Sequence, residues 1–249
     1  LLNGRYRGGT LLACTMHQVP GEKTQTRDTY LLRLSGTGEI LTRYAKHSML
    51  LDFGKLHLVE REMVAPFAAA HTVGPDGKVY FTDQRNEYKI TVLNADGSAD
   101  KIISRPFKNP KRDQKTLDRM NSLFQEQDDA LPQKVTWEVE DVDQAVTELI
   151  ALPDGELQVA HSRSGLDLPE GIFISYDVFD KDGRWDHELQ VRCEADQDHD
   201  GLIFLDDGRV LLVRGLQMAR LTASGNGGTV GNEDDGLRTI EIICCKPRY

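Results

Sequence analysis

The chain is poor in cysteine and tryptophan, has no long apolar run, and carries no compact catalytic signature. Four cysteines in 249 residues are too few for a disulfide scaffold. No CxxC or Cys/His spacing among them suggests structural zinc. Cys14 and Cys193 lie in or beside apolar runs, where a free buried cysteine is an ordinary tenant. In the adjacent pair Cys244–Cys245 a strand would send one side chain to each face. No apolar run approaches the ~18–20 residues that a membrane-spanning helix needs. The opening LLNGRYRGG lacks the basic region and long apolar core of a signal peptide. There is no initiator Met either, which fits a mature product or the ordered part of something longer, so compartment is not decided by it.

Positive charge is also scarce. A net charge of −10 and a pI near 5.2 exclude broad binding to a phosphate backbone, which needs clustered Lys and Arg. The most basic stretch, RPFKNPKRDQK from Arg105 to Lys115, runs straight into acidic residues and reads as a solvated face. There is no GxSxG elbow for a Ser nucleophile. GNGGTVGNEDDG (Gly225 to Gly236) has neither GxGxxG nor phosphate-loop spacing and reads as a loop between strands. With 39% hydrophobic and 28% charged residues, the composition is that of a folded globular chain.

What the chain does have is a repeated scheme of short alternating runs joined by Asp-Gly turns. The first clear copy is PFAAAHTV, GPDG, KVYFTD, QRNEY, KITVLN, ADGS and ADKIISRP (Pro66 to Pro106). The second is AVTELIAL, PDG, ELQVAHS, a longer loop, GIFISYDVFD, KDG and RWDHELQVR. The third is DGLIFL, DDG, RVLLVRG, a Gly-rich loop and LRTIEIICC. An incomplete earlier copy reads TLLACTMHQ, a loop, TYLLRLS, GTGE and ILTRYAK. Asp-Gly between alternating runs is the strongest short-range hairpin signal. Four short antiparallel strands at intervals of roughly 40–50 residues have the period of a propeller blade. The expected fold is therefore all-β, a β-propeller of four-stranded blades in one domain over residues 1–249. HSMLLDFGKLHLVEREMV (His47 to Val64) is expected to add strands. A closed six-bladed ring of such blades needs more residues than are present, so the ring is short, some blades are too divergent to see, or chain is missing at an end; missing chain is the expectation, because open sheet edges invite aggregation. One segment breaks the pattern: over 109–128, Leu117, Met120, Leu123 and Phe124 recur at helical spacing behind Pro110. An inserted amphipathic helix is expected there, bracing the rim or covering one mouth.

GPDGKVYFTDQRNEYKITVLNADGS and YDVFDKDGRW resemble blades of NHL-type six-bladed β-propellers, especially a bacterial, often extracytoplasmic group. The Asp closing the second strand (Asp83) and the turn Phe179 to Gly183 carry the resemblance, which covers roughly 66–107 and 145–215. It implies a fold more than an activity, since related propellers include lactone hydrolases, an amidating lyase and modules that only bind.

In such a ring the first strand of each blade lines the channel. The polar residues on or beside the first two strands are then candidate ligand contacts: His71, Glu148, His161, Asp200 and Arg214. His71, Glu148 and His199 converging from three blades would make a Ca²⁺ or Zn²⁺ site that activates water. DQDHDG (Asp196 to Gly201) lacks the acidic spacing of a calcium loop, with His199 where a ligand should stand, and reads as a turn capping a strand. In HSRSG (His161 to Gly165) alternation sends neighbouring side chains to opposite faces. Trp185, just after its turn, is expected to pack between blades rather than stack on a sugar. The leading expectation is an extracytoplasmic, non-enzymatic module without a cofactor, presenting its channel mouth to a protein, peptide or glycan. The alternative is a metal-dependent hydrolase or lyase at the same mouth.

Overall fold

The computed structural model describes residues 2–6, 9–17, 23–129, 134–197, 199–205, 209–216 and 241–245. Strand accounts for 47% and helix for 10%, which makes the protein all-β. Three four-stranded meanders follow one another along the chain. The first is β1 (Leu2–Tyr6), β2 (Gly9–His17), β3 (Thr24–Leu34) and β4 (Ile40–Asp52). After β5 (His57–Val59), α1 (Glu60–Met63) and α2 (Pro66–Ala69) comes the second, β6 (His71–Val73), β7 (Val79–Phe81), β8 (Lys89–Leu93) and β9 (Ala99–Ser104). Then α3 (Gln114–Asp129) and β10 (Thr136–Glu138) precede the third, β11 (Val146–Ala151), β12 (Leu157–His161), β13 (Ile172–Phe179) and β14 (Trp185–Arg192). A three-stranded sheet of β15 (Gly201–Phe204), β16 (Val210–Val213) and β17 (Ile242–Cys245) ends the described chain. Among the described residues no closed barrel or closed ring of blades is formed.

The Asp-Gly turns are one structure repeated. In Gly74–Lys78, Asn94–Ser98, Leu152–Glu156 and Asp180–Arg184 the first residue's carbonyl accepts from the glycine N–H, and its N–H donates to the fifth residue's carbonyl. Ser35–Glu39 does the same with Gly38. Each glycine has positive φ, between 81° and 94°, at the position where a β-carbon would be strained. Asp76, Asp96 and Asp154 each accept the N–H two residues on, which favours the turn locally.

The chain divides into two compact units, Leu1–Arg163 with Asp177–His187, and Ser164–Tyr176 with Glu188–Tyr249. In the first unit the second meander is covered on both faces. Val79 and Phe81 of β7 pack with Leu31, Tyr44 and Phe67. Between them Tyr80, with Ile90 and Val92 of β8, packs with Val146, Leu149, Leu157, Val159 and Phe179. This explains why all three β7 residues are buried although strand side chains alternate in direction. First strands are neighbours: β6 lies beside β1 and β11, and Thr72 Oγ1 accepts the Ala151 N–H at 3.4 Å. The second unit has its own core of Phe173, Leu202, Val210 and Leu212, against which Cys193 is half-buried.

Some expectations need adjustment. PFAAAHTV is not one strand, because Pro66 starts the short α2 and only His71–Val73 is extended. The 47–64 stretch holds the end of β4, then β5, which pairs in parallel with β10, and α1. The inserted helix begins at Gln114, five residues later than the expected 109. Residues 109–112 are not helical, with Lys111 bridged to Val142 and the Arg112 N–H bonded to the Asp141 carbonyl. Asp113 caps the helix by accepting the Thr116 N–H at 2.8 Å. Phe124 of α3 stacks on Trp137 of β10 with ring centroids 4.5 Å apart, the contact expected of a brace. The DDG turn at 206–208 and the Gly225–Gly236 loop lie outside the described residues, as do the side chains of Cys14, Leu123, Cys244 and Cys245.

The turns permit a comparison of two glycines. A β-carbon on Gly38 would meet nothing within 4 Å, whereas on Gly183 it would stand 2.9 Å from Cγ1 of buried Ile103. Gly38→Ala should destabilise by about 1–2 kcal/mol from backbone conformation alone. Gly183→Ala should cost about 1–3 kcal/mol more, since Ile103 cannot yield freely. Urea unfolding of both variants measures the difference.

Candidate binding site

A meander puts its first and third turns at one end of the sheet and the strand 2–3 loop at the other. The tight Asp-Gly turns therefore crowd one end, and the longer connections 82–88 and 162–171 leave from the opposite end. Much of the site's polar chemistry sits on or beside those longer connections.

Its centre is Asp177, in the middle of β13 and 2% exposed. Four side chains donate to its carboxylate. Tyr88 Oη reaches Oδ2 at 2.7 Å, and His161 Nε2 stands 3.4 Å from the same atom. Arg105 Nη1 reaches Oδ1 at 2.5 Å and Trp185 Nε1 at 3.1 Å. The Arg163 N–H donates to His161 Nδ1 at 3.2 Å, which leaves Nε2 as the ring's donor toward Asp177. Phe107 and Tyr88 pack against the His161 ring, and the Arg105 guanidinium lies over Tyr88 at 5.5 Å. Burial pushes the Asp177 carboxyl up, but the His161 and Tyr88 hydrogen bonds and the Arg105 charge outweigh it and hold it below the usual carboxylate range. Burial and the adjacent Asp177 push the Tyr88 hydroxyl far up, so it stays a proton donor.

Over this cluster opens a surface depression of about 510 Å³ lined by Asn86, Glu87, Tyr88, Lys89, Ile102, Ser104, Arg105 and Phe107. Trp185 is 51% exposed, its indole N–H bonded to the oxygen that also holds Arg105. A second network lies nearby in sequence. Arg112, with 5% of its side chain exposed, binds both oxygens of Glu60 and also Asp143, while Arg85 binds Glu60 Oε1 at 2.7 Å. Burial pushes the Glu60 carboxyl up, and the Arg112 hydrogen bonds with the Glu140 N–H and the arginine charges bring it down overall.

The residues expected from sequence are dispersed over both units. His71 on β6 is 1% exposed, and its Nδ1 lies 2.6 Å from the Phe67 carbonyl. Burial lowers its pKa, so the ring is neutral. Glu148 is half-buried on β11, opposite Ala160. His161 joins the Asp177 cluster. Asp200 and Arg214, both in the second unit, bind each other at 2.6 Å. Burial pushes the Asp200 carboxyl up, but the Asp196 and Gly215 N–H groups and Arg214 hold it down overall. His199 is exposed and pairs with Asp196 at 3.0 Å. Among the described residues no three His, Cys, Asp or Glu side chains are grouped to hold a metal ion; His71 and Glu148 belong to the first unit and His199 to the second. His71 is turned to a carbonyl and His199 to a neighbouring acid.

Sequence reasoning missed Asp177, Tyr88 and Arg105. The available signal was an acid inside the apolar run ISYDVF, which in a strand covered on both faces requires donors. Trp185 is half-exposed rather than packed away between sheets. Two arginines of the basic stretch, Arg105 and Arg112, are ion-paired rather than solvated. No family model matches the chain, and no curated protein is similar to it in sequence.

Two outcomes are expected from these charges. Asp177→Ala leaves its donors facing a void and should cost about 3–5 kcal/mol in urea unfolding. Its lowered pKa means that its stabilisation is complete above about pH 4 and fades as pH falls through the folded value, so Asp177→Asn should flatten the acid limb of stability. His71 acts in a different window. The folded ring binds fewer protons than the unfolded one, so stability should decline as pH drops below about 6.5, and His71→Gln should remove that slope. Thermal melts from pH 3 to 8 measure both.

Proposed function

We propose that this protein is a non-enzymatic binding module with propeller-type blades, presenting its long-loop end to a ligand. The meanders, the repeated Asp-Gly turns, the neighbouring first strands and a middle sheet covered on both faces support the propeller reading. The blade resemblance to NHL-type propellers extends the proposal to an extracytoplasmic setting and to a protein, peptide or glycan partner.

One observation carries the functional reading. The buried acid at the site is saturated by structural donors, and its histidine spends both ring nitrogens on fixed partners. A general base needs a lone pair within reach of substrate. Asp177 is instead committed to holding Tyr88, Arg105 and Trp185 in place, and of these Arg105 and Trp185 reach the surface. Rigid donors and aromatic surface beside an open depression are what recognition requires.

Glycan and peptide arrays probed with the full chain should give saturable binding that Trp185→Ala removes. Lactones and peptides ending in hydroxyglycine should remain intact during incubation, with or without added Ca²⁺ or Zn²⁺. Turnover that rises with added cation would replace this reading with a metal-dependent hydrolase or lyase.

A further inference from the structure

The depression above Asp177 has a chemical bias, and a ligand class inferred from that bias rests on the binding-module reading. The chain carries a net charge of −10, yet this depression sets two cations, Lys89 and Arg105, against the single carboxylate of Glu87. Arg105 gives Nη1 to Asp177 and lies over the Tyr88 ring, and it makes no second ion pair among the described residues. Lys89 likewise makes no side-chain ion pair among them. A local positive excess held open on an acidic surface attracts an anion of low charge. A segment with several carboxylates would meet Glu87 and the field of the whole molecule.

The remaining lining is suited to hydroxyl groups. Asn86 and Ser104 both donate and accept, and Glu87 accepts. Trp185 is not one of the lining residues, but it is 51% exposed and its indole is fixed because its N–H bonds to Asp177 Oδ1. Arg105 is fixed by the same oxygen, so the flat apolar surface and the cation share one anchor. Little conformational freedom is lost when such a pair takes up a ligand. The volume, about 510 Å³, suits a ligand of one or two sugar rings.

We propose that this depression binds an acidic carbohydrate, a sugar ring bearing a carboxylate, with the carboxylate on Arg105 and Lys89 and the ring against Trp185. The full chain would be titrated with a galacturonate–galactose disaccharide carrying one carboxylate, the matching neutral galactose disaccharide and an oligoglutamate peptide, following tryptophan emission and heat. The uronate should saturate and the neutral sugar should bind at least about tenfold more weakly, the loss of a charge-assisted contact. Lys89→Gln should weaken uronate binding about tenfold without shifting the melting temperature, and added salt should reduce the difference. The emission change should vanish in Trp185→Phe, because Trp137, the other tryptophan, is stacked on Phe124.

Equal affinity for the neutral sugar overturns the proposal. So does a Lys89→Gln variant that binds as the parent does, or a folded protein that takes up no uronate. Preferential binding of the peptide at this site also overturns it but leaves the binding-module reading standing. Cleavage of the oligosaccharide defeats that broader reading as well.

Discussion

An ionised carboxylate enclosed by protein is tolerable only if hydrogen-bond donors replace the water it has lost. Asp177 is so enclosed, and the donors come from two different sheets. Tyr88 and Arg105 belong to the second meander or its exit, while His161 and Trp185 belong to the third. Around this lock the Tyr88, Val159 and Phe179 side chains form part of a continuous apolar cluster. Well-packed apolar side chains would hold two sheets together as firmly as a buried ion pair. What the acid adds is direction: it sets where a phenol, a guanidinium and an indole point.

That geometry explains how the two ends of the sheets differ. At one end, five-residue turns with a left-handed glycine close the hairpins with backbone bonds, leaving little room for anything else. At the other end, longer connections need outside support. They receive it from Asp177 and from Glu60, which ties Arg85 and Arg112 to the short α1. The depression lies at this end, lined in part by Asn86, Glu87 and Tyr88.

The repeat is readable along the chain because every part of it is local. An Asp-Gly dipeptide specifies a turn within five residues, and alternation specifies a strand within about six. Both conditions hold at Gly77, Gly97, Gly155 and Gly183. The helix start is not, because Pro110 is a permitted first residue, while Asp113 is the one that caps. Competition from Asp141 and Val142 for the backbone of 111–112 leaves no trace in local sequence. Arg105 and Arg112 look solvated in sequence because their partners are remote, and His71 looks available because its Phe67 bond depends on α2.

Turn chemistry and strand alternation, and with them an all-β chain of successive four-stranded sheets, were determined by the amino-acid order alone, since those preferences act between near neighbours. Which charges are buried, and what compensates them, was decided by tertiary structure. Asp177 meets Tyr88 across 89 positions and Arg105 across 72. Such pairings are selected by the desolvation of a carboxylate when two sheets close over it, and no short-range preference records that event.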